Sequence, residues 1–158
     1  MKKNLFLPFI FLIAFIGFME TSNFLLFFHE TGHVFFCNLI GGRVGKIEYT
    51  ERGGKVGCNV PEDTPAFNLF LFYMGGILFE FILGLIFLLI PHTSALGGYV
   101  LFKIGTNTWL RRYEWDLKYA GLSVLNQTPF RLTIFLSFLT IFSFSIYSYF
   151  SFWKKIER

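Results

Sequence analysis

The sequence predicts an all-α polytopic membrane protein with four to five transmembrane helices and a short β-hairpin. Three observations support this fold class: 54% of the 158 residues are hydrophobic, 24 residues are Phe, and the apolar residues form long blocks. Long apolar blocks with few charges are typical of membrane helices rather than of a soluble core. The length predicts one domain, residues 1–158, embedded in the membrane.

The charged residues are distributed as in a membrane protein. The formal net charge is +4, and the basic residues lie mainly between the apolar blocks, as the positive-inside rule predicts for cytoplasmic loops. They form no dense cluster, so we expect no nucleic-acid partner and take the lipid bilayer as the partner instead. The bias towards Phe, Ile and Lys indicates an AT-rich prokaryotic genome. We therefore expect a multi-pass protein of the prokaryotic inner or plasma membrane.

Residues 1–20 predict an extra N-terminal helix. Lys2 and Lys3 precede its apolar run, and a signal peptide begins in the same way. No small-x-small cleavage site follows, so we expect the helix to be retained in the membrane. The two lysines also place the N-terminus in the cytoplasm.

Residues 23–40 predict a second helix. Ser22 or Asn23 is a suitable N-cap, because both side chains can accept a hydrogen bond from the first turn. Gly41 and Gly42 follow directly, and glycine is a common residue at the end of a helix.

Residues 43–60 predict a short β-hairpin. Two partly β-branched stretches flank a turn that contains Gly53 and Gly54. A plain loop is the alternative, because glycines weaken both strands. Cys37, in the preceding helix, and Cys58, in this polar segment, lie in different surroundings, so we expect no disulfide between them.

Three further apolar segments cover residues 66–90, 95–110 and 130–153. The first is the strongest candidate for a membrane span, and its Gly75 and Gly76 permit close helix contact. The second is weaker, because glycines and a lysine interrupt it. The number of transmembrane helices, four or five, depends on whether residues 95–110 cross the membrane.

The polar sequence His29-Glu30-Thr31-Gly32-His33 lies inside the apolar helix at 23–40. Ionisable groups in such surroundings are expensive to bury. The two histidines lie one turn apart on one helix face, where they can share a tetrahedral zinc ion, and the glutamate between them can act as the general base. The alternative is a pair of core histidines that bond to backbone or to a carboxylate.

A catalytic zinc ion takes three protein ligands, so a third ligand must come from elsewhere in the chain. Asp116 is the first choice, because it lies in a polar patch between apolar blocks that can fold back onto the motif helix, and Glu114 is the second. Glu80 lies within the strongest span, where a carboxylate needs a partner or a wet cavity. The full set of candidates is Cys37, Glu62, Asp63, Glu80, His92, Glu114 and Asp116.

The motif at 29–33, followed by Gly-Gly-Arg-Val at 41–44, resembles the site-2 protease family of intramembrane zinc metalloproteases. The resemblance extends over residues 24–121 and indicates a compact, divergent member. The family pattern Asn-x-x-Pro…Asp-Gly implies Asp116 as the third ligand and Asn107 as a contact to the substrate backbone or the oxyanion. This chain has no Pro after that Asn, and Leu replaces the Gly.

The resemblance implies an enzyme, a zinc metalloendopeptidase that cleaves membrane-spanning or membrane-proximal substrates. Glu30 would act as general base towards a zinc-activated water. The partner would be a transmembrane protein or peptide, and an edge of the 43–60 hairpin could receive it as an unwound strand. The alternatives are a non-proteolytic metal-binding membrane protein (a metal carrier or an inactive protease relative) and a structural protein with a chance motif. The intact Glu30 argues against a carrier, which needs no base.

Overall fold

The structure, a computed structural model, describes residues 6–50 and 53–156. Within these residues the fold is mostly helical with one two-stranded antiparallel sheet, so the predicted helical class and hairpin are confirmed. The elements in chain order are α1 (Phe6–Thr21), α2 (Phe24–Leu39), β1 (Arg43–Thr50), β2 (Gly53–Asn59), α3 (Ala66–Leu89), α4 (Ser94–Trp109), α5 (Glu114–Tyr119) and α6 (Thr128–Ile156), with short 3₁₀ turns at Pro91–Thr93 and Ser123–Asn126.

Helices α3 and α6 are long and apolar enough to cross a membrane, with 24 and 29 residues. Helices α1 and α2 have 16 residues each, which at about 1.5 Å per residue is shorter than a hydrocarbon core of about 30 Å. Together they meet the same criterion as one span bent by 57°. The described residues thus hold two candidate spans, or three with the bent pair, and the four to five crossings stay a prediction.

The bend between α1 and α2 lies at Ser22 and Asn23. Asn23 has a φ of 52°, a left-handed conformation that Asn tolerates, and it occupies the N-cap position of α2 without a side-chain cap hydrogen bond. The hydroxyl of Ser22 instead donates to a carbonyl of α1, at 2.6 Å. Gly41 has a φ of 78° and ends α2 as predicted.

Helix α4 lies between α3 and α6 at the centre of the bundle. Every residue from Ser94 to Leu101 is buried. A methyl group added at Gly97 would overlap the backbone of α3, and one added at Gly98 would overlap Ser145 of α6. The segment that the sequence marks as the weaker span is therefore the packing centre, because its glycines permit close helix contact.

Strands β1 and β2 form the predicted hairpin. The pairing runs from Arg43 opposite Asn59 to Thr50 opposite Gly53, which excludes a plain loop. The hairpin does not stand alone, because β2 also packs against α2. This support explains how two glycine-containing strands persist, since an isolated hairpin is marginal in stability.

The expectation that Cys37 and Cys58 stay unpaired is wrong, because the two form a disulfide. The chain reversal at the glycine pair lays β2 against the end of α2 and so brings a buried helix residue to a strand. A methyl group added at Gly42 would lie 2.6 Å from Cys58 Sγ and 3.0 Å from Cys37 Sγ, so the turn has no room for a side chain. A prediction based on the different sequence surroundings of the two cysteines misses their contact.

The disulfide is expected to contribute to stability, because its cysteines are 21 positions apart and closing such a loop is worth about 3 kcal/mol in the unfolded chain. We expect reductant to lower the melting temperature of the parent in detergent. The double variant Cys37→Ser/Cys58→Ser should melt at that lower temperature with or without reductant. A parent that titrates with two free thiols before reduction would contradict the pairing.

Candidate metal centre

The two histidines of the motif converge on one point inside the bundle. His29 and His33 lie one turn apart on α2, with relative exposures of 6% and 5%. Their Nε2 atoms are 3.2 Å apart. The rings therefore point towards each other, as two imidazoles must if they are to share one ion.

Asp116 completes the group. Its Oδ2 lies 3.2 Å from His29 Nε2, and its Oδ1 lies 3.7 Å from His33 Nε2. One ligand atom from each of the three residues lies within 4.8 Å of the others, and no other such group of three or more occurs in residues 6–50 and 53–156. The group thus includes Asp116, the first choice from the sequence, and not Glu114, which is exposed; that Asp116 ligates a metal stays a prediction.

The chain that carries Asp116 is placed by a tight reversal after α4. Arg111 has a φ of 59°, and the amide of Arg112 donates to the carbonyl of Asn107 at 2.8 Å, which closes α4 and turns the chain back. Tyr113 and Leu117 then pack in a buried cluster with side chains of α4. These two residues flank Asp116 and hold α5 against the bundle.

The tautomer of His33 fits metal binding. Its Nδ1 lies 2.8 Å from the carbonyl oxygen of Phe72, and a carbonyl can only accept, so Nδ1 carries the hydrogen. The Nε2 atom of the neutral ring then carries a lone pair, which faces the carboxylate of Asp116. That carboxylate can also only accept a hydrogen bond. A cation satisfies such convergent acceptors, and two imidazoles with one carboxylate are a donor set suited to zinc.

Glu30 lies beside this group with an exposure of 3%. It lines the same cavity as the two histidines, a space of about 860 Å³. Strand β2 covers it closely, since a methyl group added at Gly54 would overlap the carboxylate of Glu30. The cavity wall also carries the pair of Glu20 and Lys103, joined at 2.9 Å, and these charges make it polar enough to hold water.

Close contact between α2 and α3 sets the position of the rings. A methyl group added at Gly32 would overlap the carbonyl of Gly75, and one added at Gly76 would overlap the imidazole of His29. The glycines that the sequence marks as small contact residues thus lie directly at the candidate site.

Four of the other sequence candidates, Cys37, Glu62, Asp63 and His92, do not belong to the three converging groups. Cys37 is in the disulfide, and the ring of His92 lies against Phe152. Glu62 and Asp63 are exposed in the connection before α3. None of these residues supplies a further donor to the group.

Glu80 and Asn107 meet at a residue that sequence reasoning missed, Tyr113. The hydroxyl of Tyr113 donates to Glu80 Oε2, and Asn107 Nδ2 donates to the hydroxyl oxygen at 3.0 Å. Asn107 also lines the cavity. The only signal for Tyr113 in the sequence is its place in the polar patch, three positions before Asp116.

A model of the peptidase M50B-like family matches residues 6–110, more than half of the chain. The chain belongs to this family, which is a site-2 protease family. No curated protein and no solved structure matches the chain. The match of this M50B-like chain includes His29, Glu30, His33 and Asn107 and ends before Asp116, so the case for Asp116 rests on the geometry.

Substitution of Gly76 tests whether helix contact orients His29. We expect Gly76→Ala to weaken zinc binding about 10- to 100-fold, the range found when groups that orient a metal ligand are disturbed, because the new methyl group displaces the ring. Gly17→Ala is the matched control, since no atom lies within 4 Å of a methyl group there. Chelator competition measures both affinities, and equal values for the two variants would contradict the prediction.

Proposed function

We propose that this M50B-like chain is an intramembrane zinc metalloprotease that hydrolyses peptide bonds of membrane-spanning or membrane-proximal substrates. The observation that carries the proposal is the convergence of His29, His33 and Asp116 beside a buried Glu30, in a chain of a protease family. The first three would hold the zinc ion, and Glu30 would be the catalytic base.

The proposed chemistry follows from the placement of these groups. When bound, zinc would polarise the scissile carbonyl and make a water molecule more acidic. Glu30 accepts a proton from the attacking water and delivers it to the leaving amine nitrogen. Asn107 Nδ2 has a second hydrogen besides the one given to Tyr113, and this hydrogen would bond the oxyanion or the substrate backbone.

The proposed setting is a multi-pass protein of the prokaryotic cell membrane. The long helices α3 and α6 and the bent pair of α1 and α2 support it, and four to five crossings would result if shorter helices also traverse the bilayer. The cavity beside Glu30 would bring water to a centre inside the apolar layer. Hydrolysis within a membrane requires such a path.

The proposed substrate is a transmembrane protein or peptide. A substrate helix hides its amides in its own hydrogen bonds, so it must unwind before it is cut. Gly54, Lys55 and Val56 of β2 line the cavity, and β2 pairs with β1 in the hairpin. An unwound segment would add to this hairpin as a further strand beside Glu30.

Zinc content and cleavage, measured together, test the proposal. We expect the parent, purified in mild detergent, to hold about one zinc ion per chain and to cleave a model membrane-helix substrate. Glu30→Gln should keep the zinc and lose cleavage by about 10²- to 10⁴-fold, because the base is gone. Asp116→Asn should lose zinc, whereas Glu114→Gln, an exposed carboxylate on the same helix, should keep both zinc and activity.

Three outcomes contradict the proposal in different ways. Zinc retained by the parent without cleavage, and without effect of Glu30→Gln, would favour a metal carrier or an inactive relative. A parent without zinc would favour a structural protein. Full zinc content and activity in Asp116→Asn would show that another group is the third ligand.

A further inference from the structure

We propose that Tyr113 is a positioning residue for the metal centre, and that it acts on His29 both directly and through Glu80. The inference rests on the proposed function and goes beyond it, since it assigns the support of one ligand to a side chain outside the zinc motif. Tyr113 lies between α4 and α5 with an exposure of 4%.

The direction of the hydrogen bonds around Tyr113 is fixed by its neighbours. Asn107 Nδ2 can only donate, and it lies 3.0 Å from the hydroxyl oxygen. The single hydroxyl hydrogen is therefore free to point at Glu80 Oε2, which accepts it. Asn107 and Tyr113 together hold one oxygen of a carboxylate that has an exposure of 3%.

The other oxygen of that carboxylate faces the metal ligand. Glu80 Oε1 lies 3.5 Å from His29 Nδ1, and Nδ1 is buried without a hydrogen-bond partner among the described residues. A carboxylate at this place favours the tautomer with the hydrogen on Nδ1. That tautomer leaves the Nε2 lone pair of His29 directed at His33 and Asp116.

The rings of Tyr113 and His29 also stack. Their centroids are 5.1 Å apart and their planes differ by 3°, so the phenol restricts rotation of the imidazole. Because Tyr113 precedes Asp116 by three residues, the same side chain ties the α5 segment to α2 and α3. Tyr113 thus orients His29 and helps to fix the position of Asp116, the two proposed ligands that it supports.

A purely structural role is the competing explanation, because a buried carboxylate in an apolar helix requires a partner whether or not a metal binds. The two roles differ in what they change. Loss of a structural partner lowers the melting temperature of the metal-free protein and leaves the metal affinity of the folded protein unchanged. Loss of a positioning group changes the affinity and the geometry of the bound ion.

The test compares Tyr113→Phe with Tyr99→Phe. The first keeps the stacked ring and removes the bond to Glu80. The second removes the same kind of bond, from Tyr99 to Glu20, a carboxylate that pairs with Lys103. We expect Tyr113→Phe to bind zinc about 10- to 100-fold more weakly and to shift the visible absorption of the Co²⁺-substituted protein. Tyr99→Phe should match the parent in both measurements.

Glu80→Gln provides a second, independent variant. It should weaken zinc binding within the same range, and the double variant Glu80→Gln/Tyr113→Phe should be no weaker than the weaker single variant, because both changes break one chain of contacts. Parental affinity and Co²⁺ spectrum in both single variants would overturn the inference and leave the proposed protease intact. A parent that binds neither ion would overturn both.

Discussion

The close contact between α2 and α3 is the constraint on which the candidate centre depends. Gly32 lies against the backbone of α3, and Gly76 lies against the ring of His29, so a side chain at either position would push the helices apart. At this separation His33 Nδ1 lies 2.8 Å from the carbonyl oxygen of Phe72. Helix packing therefore selects the tautomer and the direction of the ring, and the chemistry of the motif follows from it.

The need to pair buried polar groups explains the rest of the arrangement. In apolar surroundings an unpaired carboxylate, hydroxyl or amide is costly, and the hydroxyl of Tyr113 bonds both Glu80 and the amide nitrogen of Asn107. They come from α3, from the segment before α5 and from α4. The network therefore fixes the point at which the chain returns to the bundle, and that point decides where Asp116 lies relative to the histidines.

The sequence predicts those parts of the site that depend on residues close together in the chain. The motif at 29–33 can be recognised from spacing alone, and Asp116 is favoured because it lies in a polar patch between apolar blocks that can fold back onto the motif helix. Cys37 and Cys58 could not be paired in advance, because their contact depends on how β2 folds back on α2. The role of Tyr113 could not be predicted for the same reason: its partner Glu80 is distant in sequence and meets it only when the segment after α4 packs against α3.

X-ray absorption at the zinc edge tests the central claim most directly, because it reports the atoms bound to the ion in the intact chain in detergent. The account predicts two imidazole nitrogens and a carboxylate oxygen at about 2.0–2.2 Å, with the imidazole scattering lost in a variant that lacks His29 and His33. Sulfur scattering near about 2.3 Å, or a shell of oxygen alone, would show that the ion binds elsewhere and would contradict the account.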